Sequence, residues 1–119
     1  MKKAVVSRLR GYRGVCRAAE GAQAAFEGIV ATDGDGLLEK RQLLQRLNLL
    51  EQEKALVERA LKCLDPVQRK ILEMLDIAPQ KGNCAKLCDA FGREPATVYR
   101  WRDQALQKVA QVLFYDSVS

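Results

Sequence analysis

The stretch from Cys84 to Asp103 places the tightest constraint on the fold, because it predicts two short helices joined by a turn that contains a glycine. A first helix is expected over residues 84–91 with Asn83 as its N-cap, since an Asn side chain can accept an N–H of the first turn. Gly92 follows where the chain must turn sharply, and glycine tolerates a positive φ. Pro95 suits the first turn of a second helix. The pattern predicts a helix-turn-helix.

The second helix is expected to have one buried and one outward side. Its apolar residues fall three or four positions apart, which predicts a buried stripe. The stripe consists of Val98, Trp101, Ala105, Val109 and Val112. Its spacing makes Trp101 a core residue rather than a base-stacking one.

Eight residues in and before this helix are candidates for contact with a nucleic acid. They are Arg93, Glu94, Ala96, Thr97, Tyr99, Arg100, Arg102 and Asp103. Arg100 is the strongest candidate for a base or phosphate contact, because a guanidinium group can pair with both O6 and N7 of guanine. The Tyr99 hydroxyl could reach a phosphate or a base edge, or Tyr99 could be an ordinary surface residue. We expect phosphate contacts from Arg93, Thr97 and Arg102.

At these residues the chain resembles a known family. The run Gly92-Arg93-Glu94-Pro95-Ala96-Thr97-Val98-Tyr99-Arg100-Trp101, followed by Ala105-Leu106-Gln107-Lys108, resembles the helix-turn-helix of the fourth region of bacterial sigma factors. The run from Leu64 to Leu75 is similar to the helix that precedes that motif. With a helical N-terminal half ahead of it, the chain is most similar to small phage and prophage transcriptional regulators of the ArpU or RinA type.

The resemblance covers about half the chain and implies a function. It implies promoter or operator DNA as the ligand, with the second helix in the major groove, and RNA polymerase as a protein partner. The sequence departs from the family pattern at Arg93, where a small apolar residue usually follows the turn glycine. Glu94 and Asp103 also place carboxylates among the candidate contacts, where they would repel phosphate.

The charge of the chain is compatible with a polyanionic partner but does not require one. The net charge is +5, from 20 basic and 15 acidic residues, and phosphate contacts supply most of the sequence-independent affinity of DNA-binding proteins. Residues 1–64 carry 12 basic and eight acidic side chains, whereas residues 65–119 carry eight and seven. Six basic residues precede the first acidic residue, Glu20: Lys2, Lys3, Arg8, Arg10, Arg13 and Arg17. They predict either a second phosphate-binding surface or the solvated face of an amphipathic helix.

Residues 1–64 are expected to form an antiparallel helical hairpin. Apolar residues alternate four and three apart in two runs, 4–30 and 37–64, which predicts two helices that bury their stripes against each other. A turn is expected over Ala31–Gly36, and the glycines at Gly11–Gly14 offer a site for a break in the first helix. A second stripe in the second helix, made of Leu38, Leu44, Leu49 and Leu56, suggests a homo-oligomer through this region.

Residues 65–119 are expected to form a three-helix domain that contains the helix-turn-helix, so the predicted fold class is all-α. Asp65 is the expected N-cap of its first helix and Pro66 lies in the first turn. The predicted core face of that helix is Val67, Ile71, Leu72 and Leu75.

Other classes of function have little support in the sequence. The chain has no histidine, no glycine-rich phosphate loop and no nucleophile motif, so we predict that it is not an enzyme and has no cofactor. Asp33 and Asp35 match a calcium loop only at its first two ligand positions. Cys84 and Cys88 could supply half of a zinc site, but the other two cysteines are isolated, so we predict no metal and four reduced thiols. No apolar run of membrane-spanning length occurs, which predicts a cytoplasmic protein with no membrane partner.

Two alternatives to a transcriptional regulator stay open. One is a helical adaptor that binds RNA polymerase or another protein without binding DNA. The other is a phage DNA-packaging subunit similar to small terminases, which would assemble into a ring. Protein binding that is independent of salt would favour the adaptor, and a ring-sized assembly would favour packaging.

Overall fold

The computed structural model describes residues 2–29 and 34–114, and the described chain is all-α, as predicted. Five α-helices occur, with a π-helical turn, Glu73–Ile77, after the third, and no strand is found among the described residues. The helices are α1 Lys2–Gly28, α2 Gly34–Lys62, α3 Pro66–Leu72, α4 Asn83–Phe91 and α5 Pro95–Phe114. None of the described helices is long and apolar enough to cross a membrane.

The two N-terminal helices follow the predicted apolar spacing with shifted bounds. Helix α1 runs through Gly11 and Gly14 without a break, and Val5 and Leu9, one to two turns earlier, are packed in a hydrophobic core that stabilises it. Helix α2 begins at Gly34, so part of the expected turn over 31–36 is helical. Residues 30–33, which include Asp33, lie outside the described residues.

The chain divides into two compact units, and the smaller one is Arg13–Ala55. Its core contains Ala19 and Ala22 of α1 with Leu47 and Leu50 of α2. Nearer the connection, the ammonium group of Lys40 lies 5.0 Å from the centre of the Phe26 ring. Small residues on α1 therefore pack against leucines on α2.

The larger unit contains Met1–Tyr12 and Leu56–Ser119. This division differs from the boundary that we predicted between residues 64 and 65. The reason is packing: the start of α1 and the end of α2 share a hydrophobic core with α5. The fully buried members of this core include Val5, Leu9, Val57, Ala60, Leu72, Ala105 and Val109. The hydroxyl of Tyr12 also donates a hydrogen bond of 2.7 Å to Glu58.

Helix α3 begins as predicted. Asp65 is its N-cap and accepts the N–H of Gln68 at 2.7 Å, while the Gln68 side chain accepts the Asp65 N–H at 3.2 Å, which completes a capping box. The predicted core face is correct for Ile71 and Leu72, which are buried, but wrong for Val67, which is 37% exposed. Val67 lies one turn before Ile71, in the first turn of α3, and is not part of the buried cluster that contains Ile71.

The prediction that Asn83 caps the fourth helix is wrong. Gly82, with a φ of 86°, occupies the N-cap position, and Asn83 is the first helical residue. The buried Asn83 amide instead donates hydrogen bonds to the carbonyl oxygens of Met74, at 2.7 Å, and Ala78, at 3.4 Å. These carbonyls belong to the π-helical turn and its end, so Asn83 satisfies backbone groups that the widened turn leaves without helical partners.

Candidate nucleic-acid interface

Three residues, 92–94, connect α4 to α5, and Gly92 determines the direction of the chain there. Its φ of 61° and ψ of 39° lie in the left-handed region, as predicted for the turn glycine. The N–H groups of Gly92 and Arg93 both donate to the carbonyl oxygen of Cys88, which closes the end of α4. Helix α5 then begins at Pro95, where proline loses no hydrogen bond.

One side of α5 is held by α3 and α4. Val98 is fully buried in a cluster with Ile71 and Leu87, one residue from each of three helices. Trp101 is half-buried beside them, as expected for a core residue, and its ring meets Phe91 edge-on with the centres 6.4 Å apart. The start of α5 is therefore fixed by apolar contacts on this side, and its other side is available to solvent.

The predicted contact residues occupy different environments. Six of them are exposed: Arg93, Glu94, Ala96, Tyr99, Arg100 and Asp103. Thr97 and Arg102 are half-buried. The exposed Arg93 guanidinium lies 5.9 Å from the centre of the Trp101 ring, an arrangement that leaves its N–H groups able to donate to a phosphate.

Arg102 has a partner inside the protein. Its Nε donates to Asp76 at 2.9 Å and its Nη2 donates to the other carboxylate oxygen at 2.5 Å. Asp76 is fully buried on the π-helical turn, and this contact raises the pKa of the Arg102 guanidinium. The two hydrogen bonds hold the half-buried Arg102 side chain against Asp76, so Arg102 joins α5 to the π-helical turn.

Tyr99 lies beside two thiols of α4. A hydrogen bond with the Cys84 thiol raises the pKa of the Tyr99 hydroxyl. Partial burial and the adjacent Cys84 raise the pKa of the Cys88 thiol, so Cys88 stays protonated at neutral pH. Tyr99 is nonetheless 46% exposed, so part of the residue is accessible from solvent.

Asp103 forms an ion pair with Lys2, which lies 101 positions earlier in the chain. The Lys2 ammonium lies 2.7 Å from its carboxylate, and both side chains are more than half exposed. The start of α1 thus lies beside the exposed side of α5, one turn beyond Arg100. Because Lys2 offsets the charge of Asp103, this carboxylate repels a phosphate less than the sequence predicts.

Asp76 and Lys2 also belong to this region, and no sequence pattern placed them there. The position of Arg102, four residues after Val98 and three before Ala105, could have indicated that its side chain is partly buried, but it does not identify Asp76 as the partner. No signal in the sequence connects Lys2 with Asp103. The described residues contain no group of three or more Cys, Asp or Glu side chains that could hold a metal ion.

The exposed residues at the start of α5 form a surface with hydrogen-bond donors from Arg93, Tyr99 and Arg100, and with acceptors from Glu94 and Asp103. Such a surface can bind another molecule through charge and hydrogen bonds. Comparison with models of known protein families, with curated proteins and with solved structures finds no match, so the likeness to sigma factors stays a prediction from the residues quoted above.

Proposed function

We propose that this protein is a sequence-specific DNA-binding transcriptional regulator of the type resembling the fourth region of sigma factors, of phage or prophage derivation. The observation that supports this most directly is the position of Tyr99 and Arg100. Both are exposed at the start of a helix whose opposite side is buried. A helix held in this way can enter the major groove with its first two turns against the base edges.

The residues divide into two roles under this proposal. Arg100 reads a base edge, with guanine favoured by the geometry of its guanidinium group. Arg93 and Thr97 contact phosphates beside the helix N-terminus, where the helix dipole also favours an anion. Arg102 makes no DNA contact, because its guanidinium group is bound to Asp76.

Duplex binding as a function of salt tests this proposal. A preferred duplex is first selected from a randomised pool, and fluorescence anisotropy then gives affinities for the wild type, Arg100→Ala and the control Arg59→Ala, which removes an exposed arginine from α2. We expect wild-type affinity to fall with rising salt, and Arg100→Ala to lose roughly 1–3 kcal/mol at the selected site. Arg59→Ala should bind as the wild type does.

The same measurements separate the proposal from its alternatives. Equal affinities for the wild type and Arg100→Ala would exclude Arg100 from recognition. Failure of the wild type to bind any duplex, together with salt-independent binding to RNA polymerase, would instead indicate an adaptor. A ring-sized mass in solution would indicate a DNA-packaging subunit.

A further inference from the structure

A basic groove runs along the first three turns of α1, next to the exposed side of α5. It is lined by Lys2, Lys3, Val6, Ser7 and Arg10. Lys2 also lines a second groove, with Asp103 and Gln107 of α5. Because Lys2 belongs to both grooves, the basic side of α1 is continuous with the surface that we propose binds DNA.

We propose that Lys3 and Arg10 bind phosphates of the same duplex that α5 reads. This inference rests on the proposed function and adds a second point of contact to it. Helix α1 would lie over the backbone at the edge of the groove that α5 enters, and its contacts would supply affinity without sequence preference.

The spacing of the two basic residues, Lys3 and Arg10, suits contact with a phosphate backbone. Lys3 and Arg10 are seven residues apart on one helix, which places them on the same side and about 10 Å apart along the axis. One strand of duplex DNA carries a phosphate for every ~3.4 Å of rise. Lys3 and Arg10 are therefore far enough apart to reach two different phosphates of one strand.

The electrostatic surroundings favour an external anion over an internal partner. No acidic residue precedes Glu20 in the sequence, so this part of α1 contains no carboxylate of its own. Lys3 and Arg10 are exposed, and within the described chain neither forms an ion pair. Asp103 is the nearest carboxylate that the two grooves contain, and it is bound by Lys2.

The test compares two double variants that each remove two positive charges. The test variant is Lys3→Gln with Arg10→Gln. The control is Arg41→Gln with Arg46→Gln, which changes two exposed arginines of α2 in the smaller unit. Each phosphate contact contributes ~0.9 to the slope of log affinity against log salt. We expect the α1 variant to lose about 1.8 from this slope, so that its affinity falls about 12-fold less than that of the wild type between 50 and 200 mM salt. The control should keep the wild-type slope.

Two further measurements make the outcome decisive. Lys3→Arg with Arg10→Lys keeps both charges and should keep the wild-type slope, and circular dichroism checks that every variant is folded. If the α1 variant keeps the wild-type slope while Arg100→Ala loses affinity, the inference about α1 is wrong and the proposed function stands. If the wild type binds no duplex, the proposed function is wrong and the inference falls with it.

Discussion

Arg100 and Arg102 lie two positions apart on α5 and differ in what surrounds them. Arg100 is exposed to solvent, whereas the guanidinium group of Arg102 is held by the fully buried carboxylate of Asp76. A buried carboxylate costs several kcal/mol unless a charged partner stabilises it. The two arginines should therefore respond to truncation in different ways, one through binding and the other through folding.

We predict that Arg102→Ala lowers the free energy of unfolding by about 3–5 kcal/mol, because it leaves Asp76 buried without its partner. Arg100→Ala should change it by no more than about 0.5 kcal/mol, as is usual for surface substitutions. Urea unfolding followed by circular dichroism measures both. The double variant Asp76→Leu with Arg102→Met should recover most of the lost stability. Equal free energies of unfolding for Arg102→Ala and Arg100→Ala would contradict the structural role of Arg102.

Helical spacing predicted which side of α5 is buried, but it did not predict every partner of the residues on α5. Val98, Ala105, Val109 and Val112 are buried as the apolar stripe requires, because a helix repeats its faces every three to four residues. The partner of Arg102 lies 26 positions earlier in the chain. Local periodicity carries no information about contacts of that separation, so the ion pair could be found only from the fold.

Among the helices and turns, the glycine after α4 determines how α4 and α5 are joined. Gly92 adopts a positive φ, but a Cβ atom there would meet nothing within 4 Å. Any cost of a side chain at this position is therefore conformational rather than steric. Gly11 offers a comparison, since it lies within α1 and also has open space around the Cβ position.

We predict effects of opposite sign for alanine at these two glycines. Gly92→Ala should lower stability by about 1–2 kcal/mol, because a left-handed backbone conformation is unfavourable for residues with a Cβ atom. Gly11→Ala should raise stability by roughly 0.5–1 kcal/mol, because glycine in a helix interior is destabilising relative to alanine. Thermal unfolding of both variants measures the difference, and a stabilised Gly92→Ala protein would contradict the role of the turn.

Sequence patterns predicted the helices better than their ends. Asn83 was expected to be an N-cap because asparagine is common there, yet it binds the carbonyls of Met74 and Ala78. Those carbonyls become available because the chain widens into a π-helical turn at Glu73–Ile77. A π-helical turn has no distinctive sequence pattern, and so neither the turn nor the role of Asn83 could be predicted.

For the whole chain, apolar spacing predicted the stripes of α1 and α2 but not what would cover them. The predicted boundary at residue 64 assumed that each half buries its own stripe. In the structure Val5 and Val57 instead share a core with Val109 of α5. A repeat of four and three positions shows that one side of a helix is apolar, and it does not identify the helix that packs against it.

The smaller unit leaves leucines of α2 in contact with solvent. Leu37, Leu38, Leu44 and Leu49 are 56%, 57%, 42% and 67% exposed. Leu38 and Leu49 are 11 positions apart, or about three turns, and so lie on the same side of the helix. Burying such a side against an equivalent side of a second copy gives a two-fold interface, in which the same residues act on both partners.

We predict that the wild type forms a homodimer through this side of α2, because association removes the exposed parts of Leu38 and Leu49 from water. Since both are already partly buried, each should stabilise the complex by about 1–2 kcal/mol. Leu38→Glu with Leu49→Glu should yield a monomeric mass by light scattering at high protein concentration. The control Gln107→Glu with Gln111→Glu adds the same two charges at exposed positions of α5 and should keep the dimeric mass. A wild type that is monomeric at high concentration would contradict the prediction. If the control variant dissociates as the leucine variant does, the added charge governs association and the leucines do not.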